Sequence, residues 1–309
     1  MASSSPPAPT SRPAVVGLFG PTASGKTAVA GVLRDRVGAV VISADSAALY
    51  GGLPVLTAAP DYPTALVGIV PLTEEVSVGE YQARAHSAVD GALSAGELPV
   101  VVGGTGLYFR AAIASLALPP PAAEGRRAHW QQEYDRLGAE GAHALLVERD
   151  PAAASRVHAN DRKRVVRALE LAEAGGTLAP EENTLWDAPT RHPTLVAALD
   201  VPADELDRRI RERVHAMVER GVVDEAHRAW GQPLSPTARK VLGLEQFATL
   251  PLDLAVAEVE QATRRLARYQ RKWLRRMPDV VTLDATRPAE DIADEIVALA
   301  GARERLPRH

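Results

Sequence analysis

The chain has 309 residues, enough for one large or two modest domains, and its hydrophobic content of 46% is that of a globular protein with a sizeable core. It contains no cysteine, which excludes disulfides, thiolate catalysis and Cys-ligated metal. A net charge of −4 excludes neither nucleic acid nor acidic ligands, because charge can be segregated locally.

Residues 1–13, MASSSPPAPTSRP, are Ser/Pro/Ala-rich and lack the apolar stretch of a secretory signal, so they read as a disordered tail. No apolar run approaches the roughly 20 residues that cross a bilayer, and a cytoplasmic protein is expected. Ala14–Phe19, Ala39–Ser43, Leu66–Pro71, Leu98–Val102 and Thr194–Leu199 are short, β-branched-rich runs without polar alternation, the pattern of strands covered on both faces. Thr27–Arg36, Val78–Ala95 and Tyr108–Ser115 read as helices between them. The alternation predicts an α/β core with a parallel sheet. It breaks at Pro119-Pro120-Pro121. From Glu124 to about Ala174 the chain reads as helical throughout, and Gly175-Gly176 with the segment from Pro180 to Pro193 closes that stretch. Helices are expected from Ala203, Val222, Ala238 and Leu254, then a strand at Val280–Leu283 and a helix from Ala289. The expected organisation is a P-loop α/β core with C-terminal helices over 14–118 and 190–300. An all-helical insertion occupies 119–189, and residues 301–309 form a second tail.

Residues 20–27 read Gly20-Pro21-Thr22-Ala23-Ser24-Gly25-Lys26-Thr27, the spacing of a phosphate-cradling loop, and they sit between a strand and a helix as such a loop requires. Backbone N–H groups of the turn and the start of the helix face phosphate oxygens. Lys26 supplies a point charge, and Thr27 a hydroxyl for Mg²⁺. A guanine-specific Asn-Lys-x-Asp signature is absent, which argues against a GTPase. A motor-type ATPase wants an Asp ending a second apolar strand, a place that Asp200 could fill. Asp45 follows the second strand, at the sheet edge where ligands bind in open α/β folds. It is a candidate proton acceptor; the alternative is that it caps the turn after it. The eight histidines show no paired ligand spacing, so no zinc site is expected.

Four stretches together resemble one family: the loop at 20–27, Asp45-Ser46-Ala47-Ala48-Leu49-Tyr50, Val102-Gly103-Gly104-Thr105-Gly106-Leu107-Tyr108, and the run from Asn160 to Glu170. Their order and spacing are similar to the bacterial-type tRNA dimethylallyltransferases, or tRNA isopentenyltransferases. Arg209-Ile210 with Arg213-Val214, and the stretch Thr263–Arg275, fit as well, so the likeness runs from about Val15 to Asp284. It implies transfer of a dimethylallyl group from dimethylallyl diphosphate to N6 of a tRNA adenosine beside the anticodon. The loop 20–27 would then hold the diphosphate, with Lys26, Arg213 and secondarily Arg209 neutralising the leaving group and Thr27 carrying Mg²⁺. Asp45 would take the N6 proton. The implied tRNA contacts are Asp45, Ser46, Ala47, Ala48, Thr105, Arg127, Lys163, Arg164, Arg167, Lys240, Arg264 and Arg268. The last two lie in a helix rich in Arg and Lys whose spacing at 264, 268, 271/272 and 275 predicts one basic face. Trp130, Trp186 and Trp273 read as packing residues.

The chain departs from that family's pattern at Ala48, at Leu56–Pro60, which lacks a lysine, and at Pro63–Leu66, which lacks a histidine pair. These changes leave the diphosphate apparatus intact and bear on how the acceptor is held. A prenyltransferase paralogue with another acceptor, a small-molecule or nucleoside kinase, and an RNA-binding module with a relic P-loop are the competing readings. A monomer is expected, since no feature demands a protein partner.

Overall fold

The computed structural model describes residues 14–118, 125–178, 188–277 and 279–301. The tail expected over 1–13, all but the first residue of that over 301–309, the Pro119–Pro121 boundary and Trp186 lie outside the described residues. The chain divides into two compact units, one made of Met1–Ser115 with Ala188–His309 and the other of Leu116–Asp187.

The first unit is built on five parallel strands: β1 (Val15–Phe19), β2 (Val40–Ser43), β3 (Pro99–Gly103), β4 (Thr194–Asp200) and β5 (Val280–Asp284), in the order β2-β3-β1-β4-β5. β1 is central, with Val16 beside Val100 on one side and Leu195 on the other. All five of its residues are buried, as expected of a strand covered on both faces. Helices α1 (Lys26–Val37) and α2 (Val78–Ser94) connect the first three strands, and α3 (Gly106–Ile113) follows β3. Ser77 and Glu80 form a reciprocal capping box at the start of α2.

The second unit holds α4 (Arg126–Arg149), α5 (Pro151–Ala154) and α6 (Arg162–Glu173). The stretch expected to be helical throughout comprises these three helices, and α4 itself is interrupted at Gly138, where φ is 72°. Asp150 and Asp161 each accept a backbone N–H three residues on, so that N-caps restart the chain as α5 and α6. Trp130, Tyr134, Leu146, Val165 and Leu169 form a core of this unit's own.

Back in the first unit come α7 (Ala203–Glu219), α8 (Val222–Trp230), α9 (Leu244–Thr249), α10 (Leu252–Leu274) and α11 (Ala289–Ala300). Its core gathers Val16 and Leu18 of β1, Leu33 of α1, Leu199 of β4, Ile210 of α7 and Ile296 of α11.

Two expectations need correction. Leu66–Pro71 is no strand: Leu66 has φ +64°, outside the extended region, and only isolated parallel bridges join Ala65 to Ile42 and Val70 to Tyr50. The helix expected from Ala238 is a single 3-10 turn, Ala238–Lys240. Gly243, at φ +93°, then turns the chain before α9 begins.

Candidate active site

The loop after β1 runs from Gly20 to Gly25 and bends through two left-handed residues, Ala23 at φ +62° and Gly25 at φ +91°. Left-handed backbone next to right-handed backbone turns successive N–H groups to one side, which makes a concavity for an anion. α1 starts directly at Lys26, so its N-terminal partial charge adds to that concavity. Ala23 has no glycine's freedom and spends of order 1 kcal/mol in this conformation, strain of the kind that gathers at ligand sites.

Lys26 Nζ donates to Gly20 O at 2.9 Å and Pro21 O at 2.6 Å. Although the residue retains some surface exposure, burial around the ammonium pulls its pKa from 10.5 to about 7. The Asp45 carboxylate opposes that shift and the Arg213 guanidinium adds to it. Arg213, on α7, is likewise lowered by burial, with Asp45 pulling the other way. It makes no hydrogen bond or ion pair among the described residues. The three groups therefore share one electrostatic environment at the carboxyl edge of the sheet. Arg209, one turn earlier on α7, donates to Glu205 at 2.6 Å and to Ala285 O at 3.0 Å. A Cβ built on Gly25 would stand 4.0 Å from its guanidinium. The structure thus brings Arg209 beside the loop with its Nε bonded to Glu205.

Asp45 follows β2. One oxygen accepts the Ala47 N–H at 2.9 Å, so the capping role is real for that oxygen and leaves the other to a second task. Ser46 and Ala47 are half-buried; Ala48 is buried and its carbonyl accepts from Gly68 N–H at 2.8 Å. Tyr81 donates to Ser43 O at 3.0 Å and stacks at a tilt on Tyr108, centroids 4.7 Å apart. Burial raises the Tyr108 hydroxyl to about 12, with Tyr50 and Asp45 adding to the rise. The wall beside Asp45 is therefore aromatic and neutral. Thr105 stands at the N-cap of α3 with no capping bond from its side chain.

Thr27 is exposed in the first turn of α1, and its hydroxyl makes no hydrogen bond among the described residues. Its carbonyl accepts from Tyr62, at 2.6 Å. No group of three or more His, Asp or Glu that could hold a metal occurs among the described residues. A cation bound by one hydroxyl and chiefly by ligand phosphate oxygens is the Mg²⁺ pattern, and Thr27 fits it. Ser24 Oγ, within the loop, is buried without a hydrogen-bond partner among the described residues. Asp200, which could have served a motor ATPase, instead accepts from Arg271 at 3.0 Å.

The basic residues divide in two. In the helical unit, Arg127 and Arg167 both pair with Glu170, whose side chain is 1% exposed, at 3.1 and 2.8 Å. Arg164 pairs with Asp161 at 3.5 Å. Lys163 is exposed and makes no ion pair among the described residues. In the first unit, Lys240 is exposed on the 3-10 turn. Arg264 donates to Glu260 at 2.8 Å and lies 3.8 Å from Asp207. The exposed cations of α10 and the turn after it are Arg265, Arg268, Lys272, Arg275 and Arg276, with Tyr269 at 54% exposure among them. The basic face thus centres on 265, 268 and 272, with Arg264 and Arg271 turned to carboxylates.

Sequence reasoning passed over Gln270 and Glu225, both 4% exposed. Glu225, on α8, accepts Val55 N–H at 2.9 Å and Leu56 N–H at 2.8 Å. Gln270 accepts Thr22 N–H at 2.7 Å. For Gln270 a signal existed: Val259, Thr263, Ala267 and Gln270 follow helical spacing along one buried stripe, and an amide is out of place there.

A family model described as IPP transferase matches residues 48–277; the phosphate loop and Asp45 lie before that segment. A tRNA dimethylallyltransferase of Anaeromyxobacter dehalogenans is 37% identical over 295 residues, 92% of this chain and 97% of the relative. One from Streptomyces coelicolor is 38% identical over 295 residues, covering 90% and 91%. Among solved structures, the tRNA isopentenylpyrophosphate transferase of Bacillus halodurans superposes with a TM-score of 0.66 at 28% identity, covering 94% of this chain and 97% of that one. A eukaryotic dimethylallyltransferase acting on tRNA has TM-score 0.76 at 21% identity, covering 95% and 82%, and shows the shared fold. With a family model matched over most of its length and relatives alike almost from end to end, the chain belongs to the IPP transferase family.

Proposed function

We propose that the protein transfers a dimethylallyl group from dimethylallyl diphosphate to N6 of an adenosine next to the anticodon of tRNA, releasing diphosphate. The observation that carries this reading is the convergence of Lys26, Arg213 and Asp45 at one sheet edge, in a chain of this family. Two cations suit a leaving diphosphate, and a carboxylate within their field suits an incoming amine.

In the proposed reaction the loop 20–27 binds the diphosphate. N6 attacks the allylic carbon, the carbon–oxygen bond breaks, and the electron pair leaves on diphosphate. Lys26, Arg213 and Arg209 stabilise that growing charge, and Asp45 receives the N6 proton. Mg²⁺ on Thr27 would supply further charge neutralisation when bound. The target base must leave its stack to reach Asp45, and Thr105 and Ser46–Ala48 are the residues proposed to meet it. Arg127, Lys163, Arg164, Arg167, Lys240 and Arg268 are the proposed tRNA contacts, joined by the exposed Arg265 and Lys272, with Arg264, held by Glu260, a lesser one. No described helix is long and apolar enough to cross a membrane; a cytoplasmic monomer belongs to the proposal.

The test is incubation with unmodified tRNA, Mg²⁺ and labelled dimethylallyl diphosphate. Label is expected on adenosine. Its absence, with ATP-dependent phosphorylation of a metabolite in its place, would replace this reading by a kinase. Asp45→Asn is expected to lower kcat by about 10²–10⁴ while pyrophosphate binding persists; parental turnover would remove Asp45 as the base.

A further inference from the structure

The C-terminal part of α10 reaches the ends of three strands at once. Gln270 Oε1 accepts Thr22 N–H in the loop after β1. Arg271 donates to Asp200 at the end of β4. Trp273 lies over Gly106 at the turn after β3, so close that a Cβ there would fall 2.1 Å from the indole. The Gln270 amide also occupies the space beside Gly104: a Cβ on that glycine would fall 2.5 Å from Gln270 Nε2 and 2.7 Å from Gly20 O. Thr263, the other polar residue of the buried stripe, bonds Val259 O of its own helix at 2.6 Å. Gln270 instead crosses to a residue 248 positions away. A buried amide is costly unless bonded, so its place is defined by the loop it touches.

We infer that Gln270 is a positioning residue that fixes the phosphate loop relative to the Gly104–Gly106 turn, and so sets the distance between the diphosphate and the acceptor side at Thr105. With Thr22 N–H held from below, the loop's later N–H groups keep their orientation toward an anion before one binds. The inference rests on the reaction proposed above and adds to it a residue that touches neither substrate.

The test compares the full chain with Gln270→Met, which keeps length and loses the acceptor. Amides of residues 20–27 are expected to exchange with deuterium about tenfold faster in the variant, with β4 unchanged. The Kd for inorganic pyrophosphate with Mg²⁺ and the KM for dimethylallyl diphosphate are expected to rise about tenfold. The decrease in kcat is expected to be smaller, and tRNA affinity to stay within about twofold. Gln270→Asn, one methylene shorter, is expected to give the same signature and serves if the methionine variant does not fold. Gln270→Glu restores slow exchange by returning an acceptor oxygen. A folded Met or Asn variant with parental exchange and parental pyrophosphate affinity would overturn the inference. Exchange and pyrophosphate binding are read without turnover, so a parent that transfers no prenyl group indicts the proposed reaction and leaves these two measurements to decide on Gln270.

Discussion

Lys26 is held by two carbonyls of the loop it serves, and its ammonium is enclosed enough that burial outweighs the nearby Asp45 charge. An unfolded lysine keeps its proton to about 10.5 and this one to about 7. Between those values the unfolded chain binds more protons, so stability of the ligand-free protein rises with pH across that window, and the penalty is fully present below it. An anionic ligand reverses the balance by favouring the charged form. Pyrophosphate binding at pH 8 is therefore expected to take up as much as about one more proton in the parent than in Lys26→Arg, whose guanidinium stays charged. Calorimetry in buffers of different ionisation enthalpy measures the difference; equal uptake would show Lys26 already protonated. The residues of this loop were legible in eight consecutive letters. That Lys26, Asp45 and Arg213 share one field was not, because they come from three elements that only the parallel sheet brings together.

Among the elements, the strands were readable wherever an apolar run was also extended. Leu66–Pro71 has the composition of a strand and forms none, since the left-handed Leu66 breaks the extended backbone. Val241, at ψ 124°, leaves helical backbone and ends the 3-10 turn after Ala238, and Gly243 then turns the chain into α9. The segment 53–59 is held differently: Glu225 of α8 accepts two of its N–H groups with a nearly buried carboxylate. Glu225→Leu leaves both donors without partners, at about 1–3 kcal/mol each. Urea unfolding is expected to show a loss of about 2–6 kcal/mol, and a loss under about 0.5 kcal/mol would show that water or another acceptor replaces the carboxylate. Glu225→Gln, which keeps one acceptor, is expected to fall between.

On the scale of the whole molecule, the protein is acidic overall at −4 and still carries a cationic stripe, Arg265, Arg268 and Lys272, that makes no ion pair among the described residues, beside the exposed Tyr269. Counterion release makes each phosphate contact worth a slope of about 0.7–0.9 in log K against log salt. The triple change Arg265→Gln, Arg268→Gln, Lys272→Gln is expected to flatten that slope for tRNA by roughly 2–2.7. Arg264→Gln, already paired with Glu260, is expected to change it by less than about half of one contact. Equal effects would mean that Arg264 leaves its carboxylate for RNA. By itself, the sequence determined the parallel α/β class, the phosphate loop and the carboxylate after the second strand. Those depend on contiguous residues: an apolar run, a glycine-rich turn and the residue that follows a strand. Tertiary structure alone decided which cations are already held by carboxylates and which amide steadies the loop. Those outcomes depend on which helix packs against which strand end, and a contact 248 residues apart leaves no local pattern to read.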